Sequence, residues 1–241
     1  MKKSTLILLI LSGLFVVSLF GSSFILKNEY NRIDRSDPFW NYNKLARGNF
    51  HHIQLIGGNI TRIMFVPGPH GFAGVLNYSE NILKNRIQAK ITNDTLFVNF
   101  QLHDDDQGRK NWMKYHVLLA ISCPELLSVE AVNSNLEVYK LKQPDVFVSM
   151  TGKSSMEIES LIHNFDSLSI LQRDSSELKF EMAEDIPGSA VMHAKTIYAD
   201  VKGNSLLDIG HFQTERLHHF IGDSAAVILS GSALHLFKEG Y

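Results

Sequence analysis

The sequence predicts an all-β protein: a single-domain β-helix, or β-solenoid, with coils of roughly 20 residues, preceded by an N-terminal transmembrane helix or a signal peptide. Three observations predict this fold. A short phrase recurs five times between residues 127 and 237, apolar and polar residues alternate within each copy, and a long apolar run stands near the start of the chain.

Each copy of the phrase contains a strand-like run, a polar turn with a serine, and a second strand-like run. The turn serines lie 20, 22, 29 and 19 residues apart, at Ser134, Ser154, Ser176, Ser205 and Ser224. The paired runs cover residues 128–132 and 136–138, 147–151 and 156–158, 168–171 and 178–180, 197–201 and 207–209, and 217–221 and 226–229. Because one copy has too little apolar surface to fold alone, we expect the copies to stack.

The alternation assigns side chains to the interior and to the surface. Apolar residues at every second position predict half-buried strands whose inner residues include Val148, Ile158, Leu178 and Ile209. The serines have the same parity, so we expect their hydroxyl groups to bond the turn backbone inside the coil. A nucleophilic serine needs a neighbouring base, and no copy offers one.

The elements before the copies are shorter and less regular. In chain order the sequence predicts strands at 52–55, 60–66 and 72–77, one helical turn at 79–84, a hairpin of 86–91 and 96–100, a charged loop at 103–111, a strand at 112–121 and a turn at 123–126. A further loop at 183–189 accounts for the longest serine spacing.

The apolar run has no charged residue for the 23 residues from Ser4 to Leu26. As a helix it would be about 33 Å long, enough to cross a hydrocarbon core of roughly 30 Å. A cleaved signal peptide is the alternative, with a weak cleavage site at Gly21–Ser23. The length favours an uncleaved signal anchor that crosses the membrane through residues 5–26. Lys2 and Lys3 would remain in the cytoplasm, so the rest of the chain is expected outside it, in the periplasm or at the cell surface; with cleavage it would be secreted.

Composition limits the functional classes. The chain has 241 residues, 20% charged residues and a net charge of −2, and its basic residues are dispersed, which excludes a nucleic-acid-binding protein. Cys123 is the only cysteine, so no disulfide can form within the chain. The predicted organisation is a signal anchor or signal peptide (1–26), a linker (27–49) and one β-solenoid domain (50–241).

Few residues are candidates for chemistry. Glu137, Glu157, Lys179 and Asp208 would form an outward column, most simply a solvated face, although the first two could hold a cation. Histidines cluster at 51–52, at 218–219, and at 103 beside three aspartates at 104–106. Adjacent histidines in a strand point to opposite faces, so neither pair is expected to chelate a metal. The aspartates lack calcium-loop spacing. We therefore predict no catalytic, cofactor-binding or metal-binding residue and no cofactor.

Several phrases resemble one known family. Phe50-x-x-Ile53-x-Leu55 opens the domain, residues 93–98 read Asn-Asp-Thr-Leu-Phe-Val, and residues 117–126 end in Pro-Glu-Leu. In this order, followed by serine-bearing copies, they resemble the auto-transporter adhesin head, or GIN, domain family of bacterial envelope proteins over residues 50–230. Asp94 replaces a usual glycine, and the turns at Asn133 and Asp174 lack one. The resemblance implies an exported β-helical domain and supplies no catalytic residue.

Two functional classes remain at the sequence level. The first is a non-catalytic extracytoplasmic module for adhesion, scaffolding or envelope interaction, whose partner is an envelope protein or a glycan. The second is a carbohydrate-active enzyme on a short β-helix, in which Glu137 and Glu157 would be the two carboxylates. An envelope signalling partner is a weaker third hypothesis.

Overall fold

The computed structural model describes residues 3–34, 36–77, 86–101, 113, 116–161, 164–182, 191–210, 212–229 and 234. The predicted helical turn at 79–84 and the loops at 103–111 and 183–189 lie outside these residues. The chain divides into two compact units, Met1–Asn41 and Tyr42–Tyr241.

The first unit contains helix α1, Lys3–Arg32. The apolar side chains that the structure describes in this helix are exposed, and its mean hydropathy over the most apolar window is 2.3. Among the described residues it is the one helix long and apolar enough to cross a membrane. It extends past Leu26, so the first part of the predicted linker is helical.

The second unit contains seventeen strands within the described residues. They are β1 (Tyr42–Arg47), β2 (His52–Ile56), β3 (Arg62–Phe65), β4 (Phe72–Leu76), β5 (Ile87–Thr92), β6 (Thr95–Phe100), β7 (Val117–Ser122), β8 (Ser128–Val132), β9 (Asn135–Leu141), β10 (Asp145–Thr151), β11 (Ser155–Ser160), β12 (Asn164–Gln172), β13 (Glu177–Met182), β14 (Met192–Val201), β15 (Leu206–Asp208), β16 (Phe212–Ile221) and β17 (Ala226–Ile228).

The strands form two mixed sheets, and the predicted β-solenoid is therefore wrong. The nine-stranded sheet has the order β1-β4-β7-β3-β9-β11-β13-β15-β17, and the eight-stranded sheet has the order β16-β14-β12-β10-β8-β2-β6-β5. Strand β4 pairs antiparallel with β1 and β7, and β5 pairs antiparallel with β6. Neighbouring strands are also far apart in sequence, since β3 lies between β7 and β9. A repeat of parallel coils allows neither feature, so the five copies do not describe the architecture of residues 50–241.

The backbone conformation of one turn explains why β5 and β6 pair antiparallel. Asn93 and Asp94 both have positive φ, 48° and 63°, which is the backbone of a two-residue hairpin turn. This turn sends β6 back along β5 instead of onward to a new layer. After residue 128 the pairing is parallel, and successive strands alternate between the two sheets.

The core lies among the inner side chains of both sheets. Val148, Ile158, Leu178 and Ile209 are at most 2% exposed, which confirms the inward parity assigned to them. Phe212 of the eight-stranded sheet packs edge-on against Phe180 of the nine-stranded sheet, with ring centroids 5.2 Å apart. This contact joins the two sheets through aromatic packing.

Turns before the second strands use four left-handed residues. Asn133, Gly152, Asp174 and Gly203 have φ of 51°, 68°, 64° and 71°. Asparagine and aspartate tolerate this conformation better than other residues with a side chain. Their side-chain oxygens also accept backbone N–H groups, because Lys153 N bonds Asn133 Oδ1 and Gly152 N bonds Asp174 Oδ2, each at 2.9 Å. The turns without glycine therefore keep the same geometry.

Candidate ligand-binding face

Strands β12, β14 and β16 present exposed side chains at one end of the eight-stranded sheet. Alternation along β14 puts Tyr198 outside and the adjacent Ile197 and Ala199 inside. The alternation changes phase at Thr196 and Ile197, which are both buried. Exposed residues therefore fall into two groups on the same strands, one before and one after this point.

The group after the phase change is aromatic. The ring of Tyr198 stacks on His218 of the neighbouring strand, with centroids 4.9 Å apart and planes 10° apart. The two residues are in register, so strand pairing itself brings the rings together. Phe220 lies two residues further along β16 and is 59% exposed. The ammonium group of Lys202 lies over its ring, 4.5 Å from the centroid. Exposed aromatic side chains of this kind are common in binding surfaces.

An ion-pair network holds the strand ends beside the aromatic rings. Arg173 Nη2 lies 2.5 Å from Asp200 Oδ2, and Lys202 Nζ lies 3.3 Å from Asp200 Oδ1. Partial burial would raise the pKa of Asp200, but hydrogen bonds from Arg173 and Lys202 outweigh it, and the pKa lies below its ordinary value. Arg173 also donates to the carbonyls of Gln172 and Asp200, at 2.8 and 2.9 Å. These contacts fix the orientation of Asp200 next to Tyr198 and Phe220.

The group before the phase change surrounds a polar cavity of about 520 Å³. Its lining includes the buried residues Phe165, Ala194 and Thr214. Amide, imidazole, ammonium and carboxylate groups from three strands surround the opening, namely Asn164, Asp166, His193, Lys195, Gln213 and Glu215. Lys195 forms an ion pair with Asp166, and that hydrogen bond raises the pKa of Lys195. The cavity thus offers hydrogen-bond donors and acceptors, with two carboxylates and one ammonium group among them.

The cavity and the aromatic group are close along the strand. Lys195 and Tyr198 are three residues apart on β14, or roughly 10 Å at the rise of a strand. A ligand longer than one small ring could therefore contact both groups.

The predicted charged column lies on the other sheet. Glu137 and Glu157 are in register on β9 and β11, and Lys179 and Asp208 follow on β13 and β15. Arg62 forms an ion pair with Glu137, and the hydroxyl of Tyr139 donates to the same carboxylate. Burial raises the pKa of Tyr139 to about 12, and the bond to Glu137 adds to the shift. Glu137 is therefore already occupied by two side chains.

Glu157 has a different environment. Loss of hydration is the main cause that raises the pKa of Glu157. A hydrogen bond with Glu181 raises this pKa further. Lys179 in turn forms an ion pair with Glu181, which raises the pKa of Lys179. The column is thus a mixed-charge network on the sheet surface.

Four of the five predicted serines are inside the domain. Ser134, Ser154, Ser176 and Ser205 are at most 2% exposed, whereas Ser224 is exposed. Ser154 Oγ accepts the N–H of Ser134 at 3.2 Å and donates to the carbonyl of Thr151 at 2.7 Å. The structural role predicted for these buried hydroxyl groups is confirmed. Gln172, which sequence reasoning missed, continues the polar line by donating to the carbonyls of Ser176 and Leu206.

The histidines at 51–52 do not separate as predicted. His51 precedes β2 and is not part of the strand, so its side chain reaches Asp94, with Nδ1 2.9 Å from both carboxylate oxygens. His52 Nε2 lies 4.0 Å from the same carboxylate, and His52 Nδ1 lies 2.7 Å from Ser128 Oγ. The expectation that the two histidines point to opposite faces of a strand is therefore wrong.

The other candidates have simpler outcomes. The His103 cluster lies outside the described residues. Within the part of the chain that the structure describes, no three His, Cys, Asp or Glu side chains are placed to hold a metal ion.

Cys123 is buried and donates a hydrogen bond to the carbonyl of Glu125 at 3.1 Å. Burial raises the pKa of its thiol to about 12. Such a thiol is inert as a nucleophile.

The grouping of residues on this candidate face was not predicted from the sequence, for a specific reason. Tyr198, His218 and Phe220 stand at outward positions of predicted strands, which was a usable signal. Their grouping depends on the register between β14 and β16, which the sequence pattern does not contain.

No protein-family model matches this sequence. No curated protein matches it either. The chain is similar to the solved structure of a candidate lipid-binding protein from Parabacteroides distasonis, with a TM-score of 0.47 and 13% identity, covering 79% of this chain and 94% of that one.

It is also similar to candidate adhesins from Bacteroides fragilis (TM-score 0.35, 11% identity, 79% and 96% coverage) and Parabacteroides merdae (0.34, 12%, 79% and 95%). At these TM-scores and identities the similarities establish neither a family nor a function. The resemblance to the auto-transporter adhesin head family stays a prediction.

Proposed function

We propose that residues 42–241 form a non-catalytic, adhesin-like module that binds glycan chains through the exposed side chains of β12, β14 and β16. We further propose that α1 anchors this module in a membrane, with the module on the extracytoplasmic side. The observation that carries the proposal is the exposed stack of Tyr198 on His218 beside a polar cavity on the same strands.

The chemistry of this face suits a sugar chain. A sugar ring has C–H groups on its faces and hydroxyl groups at its rim. Aromatic rings such as Tyr198 and Phe220 can pack against the C–H faces. The amide, ammonium and carboxylate groups around the cavity can exchange hydrogen bonds with the hydroxyl groups. Lys195 is paired with Asp166 and Glu215 is a second carboxylate of the lining, so the cavity suits a neutral sugar chain better than an anionic one.

The apolar helix supports the anchor. Its exposed apolar surface is long enough to span a bilayer core. Tyr30 and Trp40, both at least half exposed, follow the apolar stretch and are residue types enriched at membrane interfaces. The basic residues at 2 and 3 favour a cytoplasmic location for that end of the helix.

A glycosidase role for Glu137 and Glu157 has less support. Such enzymes need one protonated and one free carboxylate facing a substrate. The raised pKa of Glu157 suits the acid, but Glu137 is engaged by Arg62 and Tyr139. The polar cavity lies on the other sheet, so these carboxylates do not act on a ligand bound there.

A binding screen tests the proposal. Full-length protein in detergent should bind a subset of immobilised envelope glycans, and Tyr198→Ala should lower the affinity roughly two- to tenfold, in line with about 0.5–1.5 kcal/mol for an aromatic contact. Ile228→Ala, on the nine-stranded sheet and 46% exposed, is the matched control. Binding only to an envelope protein, unaffected by Tyr198→Ala, would contradict the glycan proposal and favour a scaffolding or signalling role.

A further inference from the structure

Ser128, His52 and Asp94 form a cluster outside the proposed binding face. Ser128 begins β8 and is in parallel register with His52 of β2. Their side chains extend from neighbouring strands on the outward parity, and Ser128 Oγ lies 2.7 Å from His52 Nδ1. Both residues are only partly buried, so the pair is open to solutes. Strand register alone therefore places a hydroxyl group against an imidazole.

The hairpin turn supplies the third group. Asp94 is held against β2 because its carbonyl accepts the N–H groups of His51 and His52, at 3.1 and 3.3 Å. Asp94 has φ of 63°, as the second residue of the hairpin turn, and its carboxylate contacts the histidines. His51 Nδ1 contacts both carboxylate oxygens, which fixes the carboxylate 4.0 Å from His52 Nε2. When Ser128 donates its proton to Nδ1, the neutral imidazole keeps its own proton on Nε2, on the side of Asp94.

We propose that Ser128 is a nucleophilic serine that accepts an acyl group from activated esters, with His52 as general base and Asp94 as a positioning residue. A hydroxyl group bonded to a base that faces a carboxylate is the arrangement that activates serine nucleophiles. The cluster is built from β2, β8 and the turn between β5 and β6, away from β12, β14 and β16. This proposal therefore stands or fails independently of glycan binding.

The reaction balances as one acyl transfer. Ser128 Oγ attacks the carbonyl carbon of the ester while its proton passes to His52 Nδ1. The new Oγ–C bond forms, the bond from the carbonyl carbon to the leaving oxygen breaks, and His52 returns the proton to the departing alkoxide or to water. The product is acylated Ser128, formed once per molecule, which is compatible with a module that does not turn over substrate.

The same sheet contains an internal control. Ser169 on β12 lies in the same column of the sheet, two strands from Ser128. Its register neighbours are Phe147 and Tyr198, neither of which is a base. Acylation caused by exposure alone would modify both serines, whereas acylation caused by His52 would modify Ser128.

The test uses the full-length protein, p-nitrophenyl acetate as acyl donor, and peptide mass mapping. We expect one acetyl group on Ser128, none on Ser169, and about 100-fold or greater slowing in His52→Gln, a variant that can keep a hydrogen bond to Ser128. Asp94→Asn should slow acetylation, and Asp94→Glu should restore part of the rate. Unmodified Ser128, equal acetylation of Ser169, or an unchanged rate in folded His52→Gln would each overturn the proposal.

Discussion

The hydroxyl oxygens of Ser176 and Ser205 lie 3.2 Å apart in the interior, where the serines of neighbouring turns meet. Ser205 also donates to the carbonyl of Lys202 at 2.8 Å. Buried hydroxyl groups of this kind satisfy turn backbone that water cannot reach. Serine recurs here because the position needs a small hydrogen-bonding side chain.

Replacing one of these serines should lower stability without altering surface properties. Ser154→Ala removes the acceptor for the Ser134 N–H, and an unsatisfied buried donor costs about 1–2 kcal/mol. Chemical denaturation would measure the change in the free energy of unfolding. Ser175→Ala, at an exposed position of the next turn, is the control and should be close to neutral. Equal effects of the two substitutions would show that the buried hydroxyl groups contribute nothing specific.

Adjacent residues on β11 should differ sharply in their contribution. Ile158 is 2% exposed, so Ile158→Ala should cost about 2–5 kcal/mol through lost burial and a cavity. Glu157→Ala should cost under about 0.5 kcal/mol, because the side chain is exposed and its ionised form is disfavoured by loss of hydration and by the neighbouring Glu181. The same unfolding assay compares them, and a similar loss in both variants would show that the inward assignment of β11 is wrong.

Turn geometry gives a sharper comparison between two glycines. Gly203 has φ of +71°, and a Cβ there would lie 2.5 Å from the carbonyl oxygen of Asp174. Gly203→Ala should therefore destabilise the domain by at least about 1 kcal/mol. Among the described residues, Gly222 in the turn after β16 has no neighbour closer than 3.4 Å to such a Cβ, so Gly222→Ala should be tolerated. A Tm that is unchanged in Gly203→Ala would exclude this tight approach of the two turns.

The proposed membrane anchor can be tested on the intact chain. Protein isolated from membranes should retain residues 1–26 and resist carbonate extraction, because α1 can span the bilayer core. Mass spectrometry of the mature N-terminus and the extraction assay provide the measurement. A mature N-terminus near Ser22 would contradict the anchor. It would show that the apolar run is a cleaved signal peptide and that the domain is secreted.

Local features of this protein could be predicted from its sequence. Alternation around Val148 and Ile158 identified buried positions, and Asn93–Asp94 marked the hairpin turn. Both depend on residues close together in the chain. The parity of the buried serines depends on the same short-range pattern.

Long-range pairing explains what could not be predicted. The insertion of β3 between β7 and β9, and of β2 between β8 and β6, joins segments that are distant in sequence. No local pattern specifies these neighbours. The serine-bearing copies do pair in chain order within each sheet, but the strands before Ser128 break that order, which the serine spacing does not indicate. The Tyr198–His218 stack and the Ser128–His52 contact likewise arise from register between strands.

Calorimetric titration of the glycan selected in the screen is the most direct test of the proposed binding face. We expect the wild-type protein and Ile228→Ala to bind with the same Kd. We expect Tyr198→Ala to bind roughly two- to tenfold more weakly and to remain folded, with a Tm lowered only by the loss of the stack on His218. A Kd for Tyr198→Ala equal to that of the wild-type protein would place the ligand elsewhere and contradict the account.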